Sequence, residues 1–182
     1  DSGSFFLEED GVRREIAPED IGYVLSTPTV PEFLTGREFL KFFLDINASS
    51  IAHLRSMDEY FDMMNIAPED RDKLLKDYSH GMKNKMQMLV YLILQPPVLL
   101  LDEPLTSLDV VVAEEMKALL RRQRDGRVLI VSTHLLDLAM DLCDEIVLLH
   151  RGVLEPIARE TLADADFKAR ILAALREEDG GA

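Results

Sequence analysis

The stretch VLLLDEP at 98–104, entered through Gln95-Pro96-Pro97, constrains the fold more than any other part of the chain. Four consecutive apolar residues ending on a carboxylate are too few for a helix and do not alternate as a half-buried strand would. They fit a strand covered on both faces, which is the situation of a parallel sheet flanked by helices. VLIV at 128–131 repeats the pattern and EIVLLH at 145–150 resembles it, with helix-like segments at 110–124 and 135–143 between them. This alternation predicts an α/β chain with a parallel core sheet.

Upstream of Pro96 the periodicity differs. Residues 4–8 and 12–16 read as two short strands around the turn Asp10-Gly11, because Asp-Gly accepts positive φ. Residues 21–24 form a third strand that ends near Pro28 and Pro31. Thr35 and Glu38 make the capping-box pattern T-x-x-E ahead of a helix through Phe39, Leu40, Phe42 and Phe43. A second helix is expected over 50–64, a third from Ala67-Pro68-Glu69-Asp70, and a longer one from Ser79, whose apolar positions Met82, Met86, Leu89 and Ile93 recur at helical steps. Residues 32–95 are thus expected to be nearly all helical. One more helix is expected over 161–178.

The 182 residues carry 34 Asp and Glu against 20 Lys and Arg, a net charge of −14 that repels phosphate backbones and speaks against a nucleic-acid partner. Cys143 is alone, so no internal disulfide can form, and its apolar setting predicts a buried thiol in a reducing compartment. The longest apolar stretch, 88–101, is broken by Gln95-Pro96-Pro97 and falls short of the roughly 20 residues of a membrane span. The N-terminus has neither a basic flank nor an apolar segment of signal-peptide type, and it lacks an initiator methionine, so the sequence reads as cut from something longer.

Three stretches carry candidate chemistry. In YSHGMKNKMQM, 78–88, Ser79 and Gly81 occupy the first turn of a helix, where unpaired N–H groups and the helix dipole suit a phosphate; taken alone the signal is weak, and Ser79 reads first as an ordinary N-cap. Asp102 at a strand end can take magnesium through water, and Glu103 beside it can orient and deprotonate a nucleophile, although an Asp-Glu pair can also simply begin a loop. His134 follows the strand 128–131, at the end of an open α/β sheet where sites form. His53, His80 and His150 read as ordinary surface or core residues.

The order and spacing of these stretches resemble the nucleotide-binding domain of an ATP-binding cassette (ABC) transporter of the bacterial export type. Residues 78–82 resemble the family's signature sequence, 98–103 its Walker B strand and catalytic glutamate, Ser107-Leu108-Asp109 its D-loop, and His134 its H-loop histidine; the opening DSGS also matches. The resemblance implies a partial P-loop NTPase (ABC ATPase) fold, with a parallel core sheet and an inserted helical subdomain. It divides the chain into a hairpin and Q-loop region (1–31), a helical subdomain (32–95), an α/β core (96–157) and a C-terminal helix and tail (158–182).

By the same resemblance Asp102 serves Mg2+, Glu103 is the general base, and His134 contacts the γ-phosphate of ATP. Ser79 and Gly81 bind the nucleotide held by an opposite subunit, and Asp109 couples the two sites. The implied partners are a second nucleotide-binding domain, identical or different, and a transmembrane permease. The implied location is cytoplasmic, on the inner face of the membrane. The phenylalanines between Phe33 and Phe43 lie where the family docks its permease.

The sequence departs from the family pattern in three ways. No lysine follows a glycine, so the phosphate loop Gly-x-x-x-x-Gly-Lys-Ser/Thr is absent and this fragment is expected to be inactive alone. Ser26 stands where the Q-loop glutamine is expected, and His80 where the signature has glycine. In the family the phosphate-loop strand lies between the strand leading to His134 and that at 145–150, so two inner edges are expected to be open here. The alternative reading is a degenerate, non-catalytic homologue acting as a regulatory or dimerisation partner. Coiled-coil DNA-repair members and RNA-facing translation members of the class fit less well.

Overall fold

The computed structural model describes residues 3–106 and 108–157. They fall into two compact units, one ending at Ser132 and one beginning at Thr133.

The first unit opens with an antiparallel hairpin, β1 (Phe6–Glu9) and β2 (Val12–Glu15), in register Glu9 to Val12. Asp10 and Gly11 take φ of 50° and 78°, the paired positive angles that let a two-residue turn follow the strand twist. Strand β3 (Ile21–Val24) then pairs in parallel with β4 (Val98–Asp102), and β4 with β5 (Val128–Ser132). The sheet order β3-β4-β5 puts β4 in the centre, where Leu99 and Leu101 are buried. A side chain at Gly22 would meet Tyr91, Leu99 and Pro96 at 2.7–2.9 Å, so this strand position takes no larger residue without displacement.

Helix α1 (Gly36–Ile46) begins at the expected capping box: Thr35 Oγ1 accepts from the Glu38 amide, and the Glu38 carboxylate accepts from the Thr35 amide. It buries Leu40, Phe43 and Leu44 and leaves Phe42 and Ile46 in solvent. Helix α2 covers only Met57–Met63, not 50–64. The operative start signal is Ser56-x-x-Glu59, a second capping box with both reciprocal bonds formed.

The helix expected from Ala67 is a single 3-10 turn, Pro68–Asp70. The chain beyond it is drawn into hydrogen bonds with the segment that starts α1. Arg37 and Gly36 donate to the carbonyls of Arg71 and Lys73, and Leu75 and Lys76 donate to those of Leu34 and Glu32. Those contacts satisfy amides that the first turn of α1 would otherwise leave unpaired. Arg71, buried, fixes the same region by donating to the Ile66 carbonyl and pairing with Asp58 and Asp62.

Helix α3 (His80–Leu94) starts at Ser79 as expected and ends on Gln95 at φ 50°. Its inner face buries Met86, Met88, Leu89, Leu92 and Ile93. Helix α4 (Val110–Gln123) packs Met116 and Leu120 inward. It is tied to α3 by the Lys85–Glu115 ion pair at 2.7 Å. β5 differs from expectation. Its residues alternate, with Val128 50% and Ile130 55% exposed, so one face of the strand is uncovered, and among the described residues β4 is its one ladder partner.

In the second unit a short helix, α5 (Leu136–Leu142), precedes an antiparallel hairpin of β6 (Ile146–His150) and β7 (Val153–Ile157). The run at 145–150 therefore pairs antiparallel, not as a third parallel strand. Arg151 and Gly152, at φ 51° and 77°, form the tight turn that dictates this, and β7 is a strand additional to those expected. Cys143 is half-buried rather than buried. The helix expected over 161–178 lies outside the described residues. No described helix is long and apolar enough to cross a membrane.

Candidate functional site

The carboxyl end of β4 brings together two carboxylates, each held by a hydroxyl. Asp102, the last residue of the strand, accepts a 2.6 Å hydrogen bond at Oδ1 from Ser132 Oγ, its register partner at the end of β5. One carboxylate oxygen is thus engaged and the second remains for a hard cation, which needs only one or two protein carboxylates when phosphates supply other ligands. No group of three or more His, Cys, Asp or Glu residues converges among the described residues, so a metal at Asp102 would depend on ligands from elsewhere.

Glu103 follows at φ 45°, in the left-handed region that a non-glycine residue enters only under constraint. The constraint is a tight turn. The Glu103 amide donates to the Ser132 carbonyl at 3.0 Å, and its own carbonyl accepts from the Thr106 amide at 3.2 Å. Its carboxylate Oε2 accepts from Thr106 Oγ1 at 2.8 Å. Buried Pro104 and Leu105 anchor the turn from below. The Thr106 hydroxyl thereby fixes the Glu103 carboxylate within the turn.

The helix starts lie in the same unit. Ser79 Oγ caps α3 by accepting from the Met82 amide at 3.2 Å, and Asp109 Oδ1 caps α4 by accepting from the Val112 amide at 3.0 Å. Both residues are exposed. The two caps are near each other, since a Cβ on Gly81 would lie 3.4 Å from Val112 Cγ1. Ser26, half-buried, follows β3, and with Val24 opposite Leu101 in register it sits at the same end of the sheet as Asp102 and Glu103. His134 belongs to the second unit, where it is exposed in the turn before α5; the adjacent Leu135 amide donates to Thr133 Oγ1. Ser107 lies outside the described residues.

The sequence profile of the ABC transporter family matches residues 1–106. The chain belongs to the ABC transporter family. An uncharacterized ABC transporter ATP-binding protein, YdbJ of Bacillus subtilis (strain 168), is 30% identical over 140 residues, covering 76% of this chain and 44% of that protein. The sulfate/thiosulfate import ATP-binding protein CysA of Gloeobacter violaceus is 28% identical over 161 residues, covering 86% of this chain and 46% of CysA. The chain thus spans less than half the length of these relatives.

Two solved structures show the fold. The ATP-binding subunit of an ABC transporter superposes with a TM-score of 0.65 at 22% identity, over 91% of this chain and 75% of that one. A dimeric post-hydrolysis ATP-binding cassette bound to ADP and Pi superposes with a TM-score of 0.64 at 19% identity, over 85% and 73%. The expected ABC ATPase fold is therefore present.

Within that ABC domain, three residues next to the expected site were not singled out from sequence. Ser132 is the last polar residue of an apolar run, and Thr106 lies three residues after Glu103, so both had a local signal. Gln87 had none: it interrupts the apolar face of α3, and its significance depends on what lies across from it.

Proposed function

We propose that this chain is part of the ATP-binding and ATP-hydrolysing subunit of an ABC transporter that powers substrate movement across a membrane. The observation that carries the reading is the pair of adjacent carboxylates closing β4, Asp102 held by Ser132 and Glu103 held by Thr106 in a left-handed turn. Asp102 holds Mg2+, and Glu103 takes a proton from the attacking water. Bound ATP with Mg2+ supplies the phosphoryl group and the charge neutralisation that its transfer needs. Ser79 and Gly81 present the α3 N-terminus to the nucleotide of a partner domain, Asp109 couples the two sites, His134 contacts the γ-phosphate, and Ser26 faces the site from the β3 loop. Because the sequence contains no phosphate-loop lysine, the 182 residues alone do not turn over ATP.

The partners that fit are a second nucleotide-binding domain, for which the dimeric neighbour bound to ADP and Pi is the precedent, and a transmembrane permease. Such an assembly sits at the inner face of the membrane. The exposed Phe33, Phe42 and Ile46 offer an apolar surface for the permease.

The test is ATP hydrolysis by the chain completed with an upstream phosphate-loop segment. Turnover is expected, with a loss of about 100-fold or more in Glu103→Gln, the scale of removing a positioned base. Unchanged turnover in that variant refutes the base assignment. Ser26 and His80, which depart from the family pattern, favour a second reading, a non-catalytic domain that dimerises with an active one. Absent turnover with retained dimerisation would establish it.

A further inference from the structure

Gln87 lies in the middle of α3 and is buried, and its carboxamide reaches the loop that follows β3. Nε2 donates to the Leu25 carbonyl at 3.0 Å, and Oε1 accepts from the Thr29 amide at 2.9 Å. A single planar group thereby closes both ends of the loop 25–29, which contains Ser26. A carboxamide offers a neutral N–H donor and a carbonyl acceptor side by side on one planar group, without needing to take up a proton as a carboxylate would. A carboxylate at this position could accept from Thr29 but would face the Leu25 oxygen without a proton. An aliphatic side chain would leave both backbone groups unpaired, which is more damaging than the bonds themselves are stabilising.

One turn nearer the helix start, Lys83 Nζ lies 2.6 Å from Glu32 Oε1. Residues 83 and 87 share a helix face at i, i+4 spacing, so two contacts fasten the segment 25–32 along α3. Ser79 and Gly81 stand at the N-terminus of the same helix.

We propose that Gln87 is a positioning residue that fixes the 25–29 loop, and with it Ser26, to α3, so that displacement of the helix start at Ser79 and Gly81 is carried to the loop beside the β4 carboxylates. The role of this coupling in hydrolysis rests on the function proposed above; the latch itself rests on the two hydrogen bonds.

Amide exchange measured by NMR on the 182-residue chain tests the latch. Gln87→Leu is expected to speed exchange of the Thr29 amide by about tenfold or more while leaving Leu89 and Leu92 in α3 unchanged. Gln87→Glu, of the same size, is expected to give a smaller acceleration, because it keeps the acceptor for Thr29. Thr29 exchange that does not respond to either substitution overturns the proposal.

Transmission is tested with Gly81→Leu, whose Cβ already reaches Val112 at 3.4 Å and whose larger side chain must push the helix start away from it. In the parent chain it is expected to shift the Ser26 and Thr29 amide resonances, and in the Gln87→Leu background those shifts disappear. Shifts that persist without Gln87, or that never occur with it, overturn the coupling. If Gln87→Leu does not fold, Gln87→Glu carries both measurements. Neither measurement involves nucleotide, so failure of the latch is distinguishable from failure of the hydrolytic reading, which is judged by Glu103→Gln turnover.

Discussion

Ser132 Oγ donates a 2.6 Å hydrogen bond to Asp102 Oδ1, joining the ends of two parallel strands that are 30 residues apart in sequence. The bond orients the carboxylate proposed to hold Mg2+ and secures the edge of the sheet. Ser132→Ala should therefore lower stability by about 1 kcal/mol, the range for a partly exposed hydrogen bond to a charged group. Urea denaturation followed by circular dichroism checks this, with Ser132→Thr retaining most of the parent stability.

Glu103 occupies the left-handed region at φ 45°, which β-branched residues tolerate worst. Glu103→Val should be less stable than Glu103→Gly by at least about 1 kcal/mol, since both lose the Thr106 contact and only glycine relieves the backbone. Parallel denaturation curves of the two variants decide it. Equal stabilities would mean that the turn opens without its glutamate.

Tyr78 Oη donates to the Asp70 carbonyl and lies 2.1 Å from where a Cβ on Gly36 would be. Gly36→Ala should destabilise by about 1–3 kcal/mol through overpacking against that hydroxyl. Tyr78→Phe alone should lose about 1 kcal/mol with its hydrogen bond. The double variant should be less unstable than the sum, because phenylalanine removes the clashing atom. A double-mutant cycle measures the difference; strict additivity would contradict the packing argument.

Two groups contribute opposite flanks to the pH dependence of the first unit. Arg14 grips both oxygens of Asp20 and the Ala17 amide adds a third bond, holding this carboxyl down at about 2. A depressed carboxyl stabilises the fold above its ordinary value near 4, and the contribution is lost as pH falls from there toward 2. Burial, followed by the nearby charges of Asp70 and Asp72, pushes the Tyr78 hydroxyl up to about 12. A raised phenol contributes fully below its ordinary value near 10, and the contribution is lost as pH rises from 10 to 12. Denaturation midpoints across pH should show both flanks, with Asp20→Asn flattening the acid one and Tyr78→Phe the alkaline one.

Val128 and Ile130 expose one apolar face of β5, and β4 is the strand's one ladder partner among the described residues. Such an edge pairs readily with another chain. The 182-residue chain should therefore sediment as more than a monomer at high concentration, and Val128→Thr with Ile130→Thr should shift it toward monomer. A compact, cooperatively unfolding monomer at all concentrations would contradict this.

Much of the candidate site was legible because its signals are local. The capping residues Thr35 and Ser79 bond to amides three positions onward, so sequence spacing alone locates two helix starts. Asp102 and Glu103 were legible because an apolar run of strand length ends on them. The helices expected over 50–64 and from Ala67 were not obtained as read. The true start at Ser56 competed with a weaker pattern upstream, and residues 71–76 satisfy their amides and carbonyls against residues 32–37. Propensity does not register a partner nearly 40 positions away.

The sequence by itself determined strands β1 to β5, the starts of α1, α3 and α4, the apolar strand that ends on Asp102 and Glu103, and the family; the elements rest on residues within a few positions of one another, and the family on the order of several short motifs. Tertiary structure decided what orients that chemistry: Ser132 on Asp102, Glu103 in its left-handed turn, and Gln87 on a loop about 60 residues earlier. It also turned the run at 146–150 into a hairpin strand through the positive φ of Arg151 and Gly152. These features depend on which backbone groups meet across the fold, and a hydrogen bond between distant segments leaves no periodic trace in the chain.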